Sequence, residues 1–251
     1  MRRVVFCALS LALVFGVAVQ AEELDDVLAN YYEAVGGLDA WQGVESMVVT
    51  GSMGMGQGME MPFTMSIKRP GMIRQEFTVQ GMQGIMAGDG ETYWMHMPFM
   101  GRTDPEPMPD DQVKQMTRQA DIEGPLMGYA DKGITLELIG KEDLEGTEVY
   151  HIQVTREDGD VEHHFLDAEY YVPIQVKTKS EMQGQEVDMT MVLGDYKEIN
   201  GLMIAHSIQI IGGQGGTLTM SSIEVDVEID DAIFAMPEIP EPEAEATGTD
   251  G

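Results

Sequence analysis

The sequence predicts a mainly β protein: one curved antiparallel sheet of about eleven strands, with a helix before it and a helical insert within it. Three observations predict this. Apolar and polar residues alternate along most of residues 47–229, the mark of strands with one buried face. Short connections rich in Gly, Asp, Asn and Gln separate those runs, as hairpins require. Two stretches, 23–35 and 98–132, break the two-residue period. A sheet of this length tends to curl toward a barrel.

The chain opens with Arg2 and Arg3, an almost wholly apolar run from Val4 to Val19, and the small residues Val19 and Ala21. That is a secretory signal peptide, residues 1–21, cleaved after Ala21. The run is short for a span of roughly 20 residues and leads straight into acidic Glu22-Glu23-Leu24-Asp25-Asp26. Export to the periplasm is the expectation. The single cysteine, Cys7, leaves with the leader, so no disulfide, thiolate nucleophile or Cys metal site is expected.

Leu24, Val27, Leu28, Tyr31, Tyr32 and Val35 recur at helical spacing, and Gly36-Gly37 stops the pattern. A short turn of helix over Leu38–Gln42, carrying Trp41, follows. The strand sets begin with Met47/Val49/Met53/Met55, Met59/Met61/Phe63/Met65/Ile67 and Ile73/Phe77/Val79. They resume with Ile134/Leu136/Leu138, Tyr150/Ile152/Val154, Val161/His163/Phe165, Val172/Ile174/Val176, Val187/Met189/Met191/Leu193 and Ile204/Ile208/Ile210. The last runs from Leu218/Met220 to Ile223/Val225/Val227/Ile229, and its parity flips at Ser221-Ser222, which predicts a β-bulge.

The interruption at 98–132 holds Pro98, Pro105, Pro107 and Pro109, then a short helix whose face carries Val113, Met116 and Ala120. Such an insert must sit over an end or the inner face of the sheet. The main domain therefore spans 22–236. The Pro/Glu/Ala/Thr-rich tail, 237–251, has the composition of an acidic disordered segment.

Charge and motifs exclude several classes. The formal charge is −30, or −32 once Arg2 and Arg3 are gone. That argues against nucleic acid, against docking on anionic bilayers and against stable membrane insertion. Transfer to or from a membrane should then need a protein partner with a basic surface and a salt-sensitive on-rate. No H-E-x-x-H, P-loop, G-x-S-x-G or G-x-G-x-x-G is present, so no catalytic residue is assigned and no enzyme is expected. By parity His151 and His164 both point outward, too few ligands for zinc. No metal site or cofactor is assigned.

Methionine is crowded: of 22 in the chain, 15 lie between Met47 and Met127. Flexible thioethers suit an apolar surface that re-packs around varied guests. The inner face is then either a filled core, in a structural or interaction protein, or a cavity for a hydrophobic ligand. Copper is the rival ligand, through Met53, Met55, Met59, Met61, Met65 and Met95-His96-Met97.

Tyr32-Glu33-Ala34-Val35-Gly36-Gly37, Lys68-Arg69-Pro70, Asp89-Gly90 with Trp94 and Pro98-Phe99, Asp121-Ile122-Glu123-Gly124-Pro125-Leu126, Lys132-Gly133, Leu166-Asp167, Asp195-Tyr196 with Asn200-Gly201, and Phe234-Ala235-Met236-Pro237 form one further pattern. Through them nearly the whole chain after the leader resembles the LolA-like outer-membrane lipoprotein-sorting proteins. The resemblance implies a half-open antiparallel β-barrel with a helical lid. It also implies a periplasmic carrier that shields lipoprotein acyl chains between membrane-bound donor and acceptor proteins, without catalytic residues. Relatives often carry proline before the histidine of the late strand; here the residues are Ile204-Ala205-His206. The chain is also larger and more acidic than the founding carriers, which leaves another lipid open as cargo.

Shared parity places the expected acyl-chain face at Met53, Met55, Met61, Phe63, Met65, Phe77 and Val79. Trp94, Phe99, Met116, Leu126 and Met127, at or beside the insert, are expected to form rim and lid.

Overall fold

The computed structural model describes residues 12–54, 58–182, 185–213 and 215–238, with side chains from Glu23 onward except 180–185. Met55, the first eleven residues of the expected leader and residues 239–251 of the expected tail lie outside the described residues. Helix α1 (Ala12–Ala34) and α2 (Leu38–Gln42) come first, followed by β1 (Ser46–Gly54), β2 (Glu60–Lys68), β3 (Met72–Val79), β4 (Met82–Gly88), β5 (Tyr93–His96) and β6 (Glu106–Pro107). Helix α3 (Asp110–Gln119) is the insert. The chain ends with β7 (Thr135–Leu144), β8 (Thr147–Thr155), β9 (Val161–Asp167), β10 (Pro173–Met182), β11 (Gln185–Ile199), β12 (Leu202–Ile211) and β13 (Gly216–Val225). No helix of the described residues is long and apolar enough to cross a membrane.

All thirteen strands form one antiparallel sheet in the order β6-β5-β4-β3-β2-β1-β13-β12-β11-β10-β9-β8-β7. The first long strand pairs with the last, and β6 and β7 are the two edges of the sheet and do not pair with each other, so the barrel is half open. The bulge falls where the parity flip placed it: Thr50 faces Ser222 and Gly51 faces Met220, leaving Ser221 as the extra residue. Strands β4 to β6 raise the number above eleven. Strand β4 lacks alternation because rings fill its glycine positions. A Cβ on Gly84 would stand 2.7 Å from Phe77 and 2.8 Å from Phe99, and one on Gly88 would meet the Tyr93 ring. Aromatic rings over strand glycines replace the missing side chains.

Two packed clusters fill one side of the sheet. Helix α1 buries Val27, Leu28 and Tyr31, and Val35 just after it, against Met47, Val49, Ile152, Val154, Leu166, Leu202 and Ile223. Trp41 of α2 donates its indole N–H to the Val35 carbonyl at 2.9 Å. Helix α3 buries Met116, and Ala120 at its C-terminal cap, against Ile67, Ile73, Tyr93, Met95 and Met97. On the outer side, residues after β13 cross back over β2–β5. The turn at Asp226, whose φ is +55°, ends β13 four residues before Ile229. Lys68 then donates to the Ile229 carbonyl at 2.8 Å, and Arg74 to that of Ile233 at 2.7 Å.

Two expectations of parity are corrected. On β9 the inward residues are Glu162, His164 and Leu166, not Val161, His163 and Phe165. Val161 is exposed, while His164 is buried opposite Ile152. The polar pair is tolerated inside because Arg156 binds Glu162 at 2.6 Å and His164 binds it at 3.0 Å. Outside, His151 therefore meets His163 at 2.8 Å rather than His164.

Candidate functional site

The inner face divides into a covered half and an open half. Residues directly opposite in antiparallel pairs share a face. Register thus builds one row across five neighbouring strands: Leu193 (β11), Ile208 (β12), Leu218 (β13), Met53 (β1) and Met61 (β2). Met53 has the parity of Met47 and Val49, which lie under α1. The five are half-buried, and none belongs to either packed cluster. A second row, Phe77, Phe63, Gly51 and Met220, separates them from the packed core. A five-strand row at ~4.8 Å per strand is on the order of 19 Å wide.

Met53 and Met61 thus line the open half, and Val79 continues the inward parity of Ile73 and Phe77. Phe63 and Met65 pack against the α1 cluster, and Met65 also touches the α3 cluster. Phe77 and Phe99 meet edge to face at 5.9 Å beside α3, whose Met116 is buried there. These residues floor the trough and seat its cover.

Three residues expected at the rim lie elsewhere. Trp94 is on the outer side, because Tyr93 and Met95 take the inward positions of β5. It is buried under Phe234, to whose carbonyl it donates at 2.9 Å. Leu126 and Met127 are core residues beneath α1, where the Tyr32 hydroxyl donates to the Leu126 carbonyl at 2.9 Å. The residues that local reading missed are Leu193, Ile208 and Leu218. Their alternation was visible, but only pairing of β1 with β13 brings them beside Met53.

The cover is held by charge. Lys114 and Arg118 of α3 reach Asp158 and Asp160 in the β8–β9 turn, four contacts of 2.7–2.8 Å. Burial pushes the Asp158 carboxyl up, but hydrogen bonds from Lys114 and the Asp160 amide, with the Arg118 charge, hold it at about 2. Gln119 accepts from Gln75 of β3 at 2.5 Å. Helix α3 therefore bridges β3 and the β8–β9 turn across the inner face. Behind it, Lys132 binds Asp121 at 2.7 Å and Glu123 at 3.3 Å, and Arg69 pairs with Glu123. A cleft of about 330 Å³ lined by Arg118, Lys132, Ile134, Arg156, Glu157 and Asp158 lies at this latch. Its three cations are already paired with carboxylates.

Of the soft-metal candidates, Met53 faces Met61 across β1 and β2. Met95 and Met97 are buried in the α3 cluster, whereas His96 between them bonds the Thr103 carbonyl at 3.0 Å. Among the described residues no three His, Cys, Asp or Glu side chains converge.

An open antiparallel half-barrel with an apolar trough and a helical cover is a recognised class of fold. A LolA superfamily protein from Nitrosomonas europaea superposes with a TM-score of 0.56 at 15% identity, over 84% of this chain and 97% of that one. A DUF1329 family protein from Desulfovibrio piger gives 0.57 at 13% identity, over 84% and 97%. A protein domain assigned to outer membrane lipoprotein sorting, from Vibrio parahaemolyticus, gives 0.51 at 11% identity, over 83% and 94%. No family model matches the sequence, and no curated protein matches it. The fold of this chain is LolA-like.

Proposed function

We propose that the protein is a periplasmic carrier that holds lipid acyl chains, those of lipoproteins foremost, in the trough and moves them toward the outer membrane. One observation carries this reading: a five-strand apolar row left outside both packed clusters, beside a helix fastened by charge. A filled core would bury that row. The LolA-like fold and the lipoprotein-sorting neighbour support the same reading, and it agrees with the leader expected at 1–21 and the domain expected at 22–236. Each methylene laid on the row contributes about 0.8 kcal/mol, so two chains of ordinary length supply ample affinity. The carrier acts by binding alone, needs no cofactor, and exchanges cargo with membrane-bound donor and acceptor proteins.

The test is uptake of a fluorescent fatty acid. Met53→Glu and Leu218→Glu place a carboxylate where hydrocarbon should lie and should lower affinity by a hundredfold or so. Thr219→Glu, exposed on the opposite face, should leave uptake unchanged. Equal uptake by all three would remove the assignment.

A further inference from the structure

We infer that the hairpin tips at the trough's mouth form a docking edge for a zwitterionic lipid bilayer surface. Strands β4, β3, β2, β1, β13 and β12 are consecutive neighbours in the sheet. Their β3–β4, β1–β2 and β12–β13 connections therefore leave from one edge. Each tip presents an exposed apolar side chain: Met82 at 39%, Met59 at 58% and Ile211 at 51%. Met100, at 65%, stands beside them on the turn (Pro98–Met100) after β5. Four of the seven large apolar residues exposed among the described residues thus stand at one edge.

Charge follows the same division. In a chain of net charge −30, residues 55–59, 80–83 and 211–216 contain no Asp, Glu, Lys or Arg. The opposite edge has Asp89, Glu91, Asp167 and Glu169 in its turns. On the docking side the charged β8–β9 turn is engaged by α3; this edge also carries Glu60 next to Met59, Arg102 and Asp104 after Met100, and, flanking the β10–β11 turn, Glu181 with the Lys179–Glu186 ion pair.

A lipid surface fits this edge better than a second copy. Successive tips are about 10 Å apart, two strand spacings. Separate side chains so spaced do not make the ~800 Å² patch per partner of a standard protein interface. They suit shallow insertion into the headgroup boundary, which needs apolar points and no desolvated charge. The open row of Met53, Met61, Leu218, Ile208 and Leu193 begins just behind the tips, so a chain could pass from bilayer to trough without crossing water. The expected aversion to anionic bilayers stands, since the rest of the molecule repels them.

This inference rests on the carrier reading for its purpose, but docking and uptake are measured separately. The protein is recovered after export, its N-terminus read by mass spectrometry, and floated with phosphatidylcholine vesicles. It should float equally at 0.1 M and 0.5 M salt, and less with phosphatidylglycerol present. Each of Met59→Glu, Met82→Glu and Ile211→Glu should weaken partitioning by about tenfold, and the triple variant should stay at the bottom. Tyr170→Glu, equally exposed at 64% on the opposite edge, should float as the parent does. The triple variant should still take up soluble fluorescent fatty acid, which separates docking from the trough. Failure of the parent to float, flotation of the triple variant, or its loss of uptake would each overturn the docking edge. So would concentration-dependent dimers of the parent that the triple variant abolishes, which would make a second copy the occupant. Loss of uptake in Met53→Glu bears on the trough alone.

Discussion

Neutralising the β8–β9 turn, Asp158→Asn with Asp160→Asn, should free α3 while the sheet stays folded. The four latch contacts of 2.7–2.8 Å join side chains that are partly solvated. Exposed pairs contribute about 0.2–1 kcal/mol each, so after solvent screening the network is worth about 1–2 kcal/mol. That is roughly a five- to thirtyfold shift in the local opening equilibrium. Amide hydrogen exchange at residues 113–119 should accelerate by that factor, with the amides of β8 and β12 unchanged. The sign with pH follows from depressed carboxylates. Asp158 is held at about 2 against an ordinary 3.8, and Asp160 is also lowered, chiefly by the Lys114 hydrogen bond. The latch is then intact above about pH 4 and weakens as pH falls toward 2. Unchanged protection of α3 in the double variant, or equal loss across the sheet, would refute the latch.

Two further perturbations probe the frame around the trough. Gly51→Ala sets a Cβ against the Thr219 carbonyl oxygen and 2.9 Å from the Phe63 ring; it should cost about 2 kcal/mol and lower Tm by several degrees in a thermal melt. Glu162→Gln leaves Arg156 and His164 without their buried partner and should cost about 3 kcal/mol in urea unfolding. Burial raises the Glu162 carboxyl, but His164 and Arg156 outweigh it and hold it at about 2 against an ordinary 4.5. Its stabilisation is therefore lost as pH falls from about 4.5 to 2, and the variant should lack that part of the acid limb.

Alternation made most of the fold legible, because each strand keeps one face in the core. Helix α2 lies over Leu38–Gln42 as read, α3 begins at Asp110, and the bulge sits at Ser221. What escaped was non-local. Strand β4 hides behind Gly84 and Gly88, whose missing side chains are supplied by rings from elsewhere in the chain. Strand β9 reads with the wrong face inward because its buried positions hold Glu162 and His164, legible only once Arg156 is seen beside them. In the site, Met53 and Met61 follow from parity alone. Trp94 was misplaced because nothing local shows that the segment ending in Phe234 returns to cover it. Leu193, Ile208 and Leu218 required the closure of β1 on β13, which periodicity does not encode.

The central claim is that acyl chains lie on the open row. A fatty acid with a photoreactive group at its terminus, bound and irradiated, reports its own position by peptide mapping of the adducts. Adducts should fall on Met53, Met61, Leu193, Ile208 and Leu218, and an unlabelled fatty acid should compete them away. Adducts confined to other surfaces, or insensitive to competitor, would contradict the account.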